Sequence, residues 1–208
     1  GTPGHNPWEQ MQSEPNNRTK KMKTQTATSV SLFLASEINP CDGAWLEIDS
    51  SSDVSEVYAK LAADCPAWAR DVQYDAETGT CGGDFLIADC EGPFRPSSIS
   101  EAIEIAEQLE RFSDQYGDAT PELLIAASDY TSSRDWSDIG DELEERCQGQ
   151  YTVEEYAENY IDECGLLDSM PENLRCYFDV EKFARDMELG GDVSVVETCQ
   201  GDYIFLPY

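Results

Sequence analysis

The sequence predicts an α+β protein built as three small sections in series behind a leader. Three observations predict it. Strand-like and helix-like apolar periods alternate in blocks, and Pro and Gly divide those blocks near residues 95 and 149. The acids that make the chain a polyanion are dispersed among apolar residues, with no long run of like charge. Of 208 residues, 43 are Asp or Glu and 13 are Lys or Arg, a net charge of −30. Setting aside the 2 acids and 4 bases of residues 1–29 leaves 41 acids against 9 bases, or −32. The 4 Trp, 10 Tyr and 7 Phe argue for packed cores, since disordered acidic tails lack aromatic residues.

Residues 1–29 are rich in Pro, Asn, Gln and Thr, mildly basic and without period. They read as a flexible leader or a remnant outside the native chain, with Met11 and Met22 both placed to be a native start. The first section, 30–95, opens with strands at 30–35 and 44–48. A helix follows at 53–65, with Val54, Val57, Tyr58 and Leu61 on one face, and then a strand at 85–89. Gly79, Gly82 and Gly83 mark a turn or mobile loop between them.

The second section, 96–148, is helical. Ser98-x-x-Glu101 has the form of a capping box, in which each side chain satisfies a backbone amide of the first turn. The helix at 100–116 turns Ala102, Ile105, Ala106, Leu109 and Phe112 inward and leaves Glu101, Glu104, Glu107, Glu110 and Asp114 as an outer acidic row. Pro121 starts a short helix carrying Leu123, Leu124 and Ile125. A further helix at 136–147 places Ile139 and Leu143 inward and Asp138, Asp141, Glu142, Glu144 and Glu145 outward.

The third section, 149–208, begins with a helix capped by Thr152-x-x-Glu155. Its apolar side carries Val153, Tyr156, Ala157, Tyr160 and Ile161, its acidic side Glu154, Glu155, Glu158 and Asp162. Helices at 171–177 and 180–189 follow, the second ended by Gly190-Gly191. Strands at 193–198 and 203–206 form a hairpin around Gln200-Gly201-Asp202. Tyr156, Tyr160, Trp136 and Phe112 read as core residues, because they fall on apolar sides, while Phe94 between Pro93 and Pro96 has no clear face.

Composition excludes several function classes. A pI near 4.1 opposes contact with nucleic acid or an anionic membrane, whose phosphates repel carboxylates. The apolar runs fall far short of the roughly 20 residues that span a bilayer, so a soluble, cytoplasmic protein is expected. Eight Cys without a C-x-x-C pair, and His5 as the only His, give no zinc site, and the absence of a secretory signal favours free, mostly buried thiols. Residues 49–60 superficially suggest a calcium loop, but Val54 and Lys60 stand where Gly and Glu are needed. No phosphate-binding Gly loop or nucleophile elbow is present, and neighbouring carboxylates such as Asp141-Glu142 are expected by chance in so acidic a chain. No enzyme, catalytic residue, metal or cofactor is therefore expected.

The stretches YTVEEYAENYIDE (151–163), MPENLRCYFDVEKFARDM (170–187) and GDVSVVETCQGDYIF (191–205) resemble, in order and spacing, the ArdA-type antirestriction proteins. Gly43-Ala44-Trp45-Leu46 and Ile87-Ala88-Asp89-Cys90-Glu91-Gly92 are similar to the amino-terminal part of that family. The resemblance covers about residues 30–208, loosely across 112–147, and departs at the leader, at the Gly-rich insertion 78–83 and at cysteines such as Cys90. It implies an elongated three-domain homodimer, joined through its third domain, whose acids imitate the phosphates of bent B-form DNA. Such a protein occupies the DNA site of a type I restriction-modification enzyme, on its methyltransferase and specificity subunits. For the dimer interface the expected residues are Leu166, Leu167, Leu174, Tyr177 and Phe178; the competing expectation is that they fill their own domain's core.

The charge spacing suits mimicry. Acids every three or four residues along a helix place a carboxylate about every 4.5–6 Å. One DNA strand offers a charge about every 3.4 Å, so two neighbouring acidic elements are required. Two copies carrying 32 excess charges each match roughly 32 base pairs of duplex. Two other readings of the charge remain: a decoy for another basic DNA-binding protein, and adaptation of an unrelated protein to concentrated salt.

Overall fold

The computed structural model describes residues 28–207. Residues 1–27, on which the expected leader, His5, Met11 and Met22 fall, and Tyr208 lie outside the described residues. The chain is mixed helix and strand, as the α+β reading expects. In order it runs β1 (Val30–Ser36), β2 (Gly43–Ile48), α1 (Val54–Asp64), α2 (Pro66–Asp71), β3 (Tyr74–Asp75), β4 (Thr80–Cys81) and β5 (Phe85–Cys90). Next come α3 (Ile99–Tyr116), a 3-10 turn (Gly117–Ala119), α4 (Thr120–Ser128), α5 (Trp136–Arg146), β6 (Cys147–Gln150) and α6 (Val153–Glu163). The short α7 (Glu172–Arg175), α8 (Val180–Gly190), β7 (Ser194–Thr198) and β8 (Gly201–Phe205) complete it.

β1 lies between β2 and β5, antiparallel to both, and its Val30, Leu32, Leu34, Ala35 and Ser36 are all buried. Such burial along nearly the whole strand suits a central position. The helix expected at 53–65 is α1, and a second helix that was not expected, α2, follows it directly. The Asp53 carboxylate caps α1 by accepting from the Ser55 and Glu56 amides, but Pro66 has no N–H and forces Cys65 out of helical geometry, at φ −133° and ψ 83°. The chain restarts with Pro66 in the first turn of α2 and buries Trp68 completely. Within the Gly-rich insertion, Gly79 lies in the turn of the β3–β4 hairpin, residues 80–81 form β4, and Gly82 and Gly83 follow it in a bend.

The inward face of α3 is the predicted one: Ala102, Ile105, Ala106, Leu109 and Phe112 are buried, together with Gln108 and Tyr116. Its capping box is only half formed. The Ser98 hydroxyl accepts the Glu101 amide, while the Glu101 carboxylate turns instead to Ser97. Phe94 is buried, edge-on to Trp136 at 5.4 Å, so apolar contact crosses from the first predicted section to the second.

The expected β-hairpin is part of a three-stranded sheet of order β6-β8-β7. β6 was not expected; it follows directly from α5 and pairs with β8 from Cys147↔Phe205 to Gln150↔Tyr203. The hairpin turn is at Cys199-Gln200, where Thr198 pairs with Gly201, and not at Gln200-Gly201-Asp202. The helix expected at 171–177 is one short turn, while α8 runs as predicted and ends at Gly191, whose φ of +78° is the left-handed cap that only Gly adopts without strain.

β8 alternates between two apolar clusters. Tyr203 and Phe205 pack in a large cluster with residues from β1, β2, α1 to α5 and Phe94, whereas Ile204 packs with Ala157, Ala184, Met187 and Val193. Tyr160 corrects the core reading: it is 38% exposed, stacked on Tyr156 with centroids 6.4 Å apart. All eight cysteines are free thiols, but Cys41, Cys164, Cys176 and Cys199 are exposed, contrary to the expectation of burial. All four sit in turns.

Candidate functional site

The acidic row of α3 resolves into members with different surroundings. A helix turns about 100° per residue, so Glu107 and Asp114 stand within about 20° of each other, with Glu104 and Glu110 about 60° to either side of Glu107. All four are exposed, and among the described residues none makes an ion pair. Glu110 accepts the Ser50 hydroxyl from the loop after β2. Glu101 is set apart. It is half-buried, accepts the Ser97 amide and hydroxyl at 2.6 Å each, and faces the Trp136 indole N–H at 3.4 Å. Burial pulls its carboxyl upward, but the Ser97 bonds, the indole and the Arg134 charge together hold it below its ordinary range. Glu101 therefore fastens the start of α3 to α5.

The acids of α5 divide in the same way. Asp135 caps the helix through the Ser137 amide, and Asp138 and Glu145 are exposed and make no ion pair among the described residues. Asp141 and Glu144 receive the two arms of one guanidinium: Arg111 Nη1 lies 2.9 Å from Asp141 Oδ1 and Nη2 lies 2.5 Å from Glu144 Oε2. Glu142 is turned toward buried Arg146, whose guanidinium also reaches the Leu206 carbonyl at 3.2 Å and lies over the Tyr130 ring. Glu142 thus supports the junction between α5 and the second sheet. On α6, Glu154, Glu158 and Asp162 are exposed, and Glu155 completes the predicted capping box with Thr152 at 2.9 and 3.2 Å.

The structure brings the rows of α3 and α5 together, through helix contact and through Arg111. Sequence reading missed Arg111, although it is the one base within α3. Its raised pKa has the Asp141 hydrogen bond as largest cause, opposed by burial and reinforced by Glu144. Among the described residues no group of three or more His, Cys, Asp or Glu is gathered as a metal site. The carboxylates of residues 49 and 53 are occupied by Ser51, Ser52 and Ser55 hydroxyls and amides. What the surface offers a partner is fixed negative charge.

The five expected interface residues occupy an exposed stretch. Tyr177 is 81% exposed, Leu166 and Leu174 are 46% exposed, and Leu167 and Phe178 are half-buried, with Phe178 against Phe183 at 5.7 Å. Leu166 also lines an apolar groove of about 490 Å³ with Tyr156, Tyr160, Phe183, Met187 and Leu206.

The family model for the antirestriction protein ArdA matches residues 40–201, well over half of the chain. The chain belongs to the ArdA antirestriction family. No curated protein matches it. The ArdA match runs from the turn before β2 to the start of β8 and so contains every acid considered above. Membership carries an antirestriction role, hence interaction with restriction enzymes. No helix among the described residues is long and apolar enough to cross a membrane.

Proposed function

We propose that this ArdA protein is a DNA mimic. It competes with DNA for the binding site of a type I restriction-modification enzyme, on the methyltransferase and specificity subunits, and inhibits by occupancy without catalysis. The observation that carries the reading is the acidic face of α3, where Glu104, Glu107, Glu110 and Asp114 stand exposed and, among the described residues, without ion pairs in a chain of net charge −30. Lys and Arg that ordinarily displace counterions from phosphate meet these carboxylates instead. The neighbouring acids of α5 supply the second row that the spacing requires, and Glu154, Glu158 and Asp162 of α6 extend the charge. The protein acts in the cytoplasm as a homodimer of three-domain chains, joined through Leu166, Leu167, Leu174, Tyr177 and Phe178. Exposure of Tyr177, Leu166 and Leu174 supports that choice, since apolar side chains in open solvent mark contact surfaces.

The test is titration of the protein into a DNA-free type I methyltransferase core holding a labelled duplex, at low and physiological salt. Mimicry predicts stoichiometric displacement that weakens as salt rises, because exposed charges are screened. No displacement by folded protein refutes the reading and directs the search to another basic partner, such as a different DNA-binding protein. Unfolding of the protein itself at low salt identifies salt adaptation.

A further inference from the structure

The guanidinium of Arg111 occupies an unusual place for a cation in a surface that works by negative charge. It lies between α3 and α5, with Asp141 at 2.9 Å, Glu144 at 2.5 Å, Gln108 Oε1 at 3.4 Å and the Phe112 ring centroid at 4.9 Å. The helices come close enough for this only because α5 has Gly140 at the crossing. A Cβ there would fall 2.1 Å from Gln108 Oε1 and 3.1 Å from Arg111 Nη1. Gln108 is itself buried, so its amide has little room to withdraw. The outer edge of the guanidinium is left to two carboxylates one helical turn apart, and a planar fork holds two such oxygens in fixed directions where an ammonium would hold one. Asp141 and Glu144 remain about two-thirds exposed while bound, so each still presents an oxygen outward.

We infer that Arg111 is a positioning residue of the mimic, which spends one positive charge to hold Asp141 and Glu144 at a set spacing beside the acidic row of α3. This rests on the DNA-mimic reading and refines it: geometry of the carboxylates, and not their number alone, governs competition. Net charge and geometry then make opposite predictions. Arg111→Gln makes the protein more negative and frees two carboxylates, so charge counting expects stronger competition. Positioning expects weaker competition, because the two side chains return to many rotamers and must be ordered again on binding.

The experiment is displacement of a labelled duplex from the methyltransferase core by wild-type protein, Arg111→Gln, Arg111→Lys and the double variant Asp141→Asn/Glu144→Gln, each with its thermal midpoint. Both Arg111 variants are expected to displace about threefold to tenfold less well at low salt, the range set by the modest worth of exposed pairs. Arg111→Lys keeps the charge and carries the test if Arg111→Gln does not fold. In the double-variant background, Arg111→Gln is expected to change nothing further, which separates positioning of these two acids from general support of the helix pair. Competition by Arg111→Gln equal to or stronger than wild type, a wild-type result for Arg111→Lys, or an undiminished Arg111→Gln effect without the two acids overturns the inference. Failure of wild-type protein to displace the duplex instead overturns the mimicry reading, and the inference with it.

Discussion

Distributed charge makes a quantitative demand on the α3 face. An exposed ion pair is worth about 0.2–1 kcal/mol, so Glu104→Gln alone is expected to weaken displacement of duplex by no more than about fivefold. Glu104, Glu107, Glu110 and Asp114 span ten residues of helix, about 15 Å, with successive members about 5–6 Å apart, so neutralising one relieves repulsion on the next and simple addition sets the upper bound. Neutralising all four as Gln or Asn should sum to about 1–4 kcal/mol, a loss between about fivefold and about a thousandfold at low salt. The loss should shrink at physiological salt, where charges more than about 8 Å apart are screened. Glu101 is excluded from the set because Ser97 and Trp136 engage its carboxylate, so its loss would mix folding with recognition. The assay is competition against labelled duplex with a thermal melt of each variant; the fourfold variant should melt no lower than wild type, since removing like charges relieves self-repulsion. A loss above tenfold from Glu104→Gln, or none from the fourfold variant at low salt, refutes the reasoning.

Three further outcomes are expected. Tyr177→Asp should yield a folded monomer by light scattering, because a side chain 81% exposed contributes little to its own fold; an unchanged dimer removes Tyr177 from the interface. Thr152→Ala removes the hydroxyl that accepts the Glu155 amide at the start of α6, while the backbone N–H of residue 152 can still donate to the Glu155 carboxylate; it should lower stability by about 1 kcal/mol, or about 2–4 °C in midpoint, as read by circular dichroism melting. Glu101→Gln should be destabilised at pH 7. The carboxyl of Glu101 is held below its ordinary 4.5, so its stabilisation is complete above that value and is lost as pH falls through the folded value. The gap between variant and wild type should therefore close in melts taken below pH 4.5, and a gap that persists there disproves the assignment.

Helical periods were the most legible part of the sequence, because an amphipathic face is written locally. The buried side of α3 and the capping box of α6 follow directly from residue spacing. β6 was invisible for the opposite reason. Cys147-Gln148-Gly149-Gln150 has no apolar alternation, and what makes it a strand is β8, more than fifty residues away in the chain. α2 was not legible because its six residues, starting at Pro66, are too few to show a helical apolar period. At the candidate site the acids themselves could be read from sequence, but their division into free and engaged members could not. That division depends on Ser97, Arg111 and Arg146 arriving from other turns or other helices, and an Arg inside an acidic stretch reads simply as a solvated charge until its partners are placed.

The alternating side chains of β8 also order events in time. A chain emerges from its N-terminus, and each apolar cluster stays incomplete until residues 203–205 arrive to add Tyr203 and Phe205 on one side and Ile204 on the other. Throughout synthesis the nascent polypeptide therefore carries unfinished apolar surfaces alongside most of its carboxylates. Mutual repulsion between neighbouring nascent chains opposes contact of those surfaces, so the net charge of −30 guards the molecule against association while it is being made.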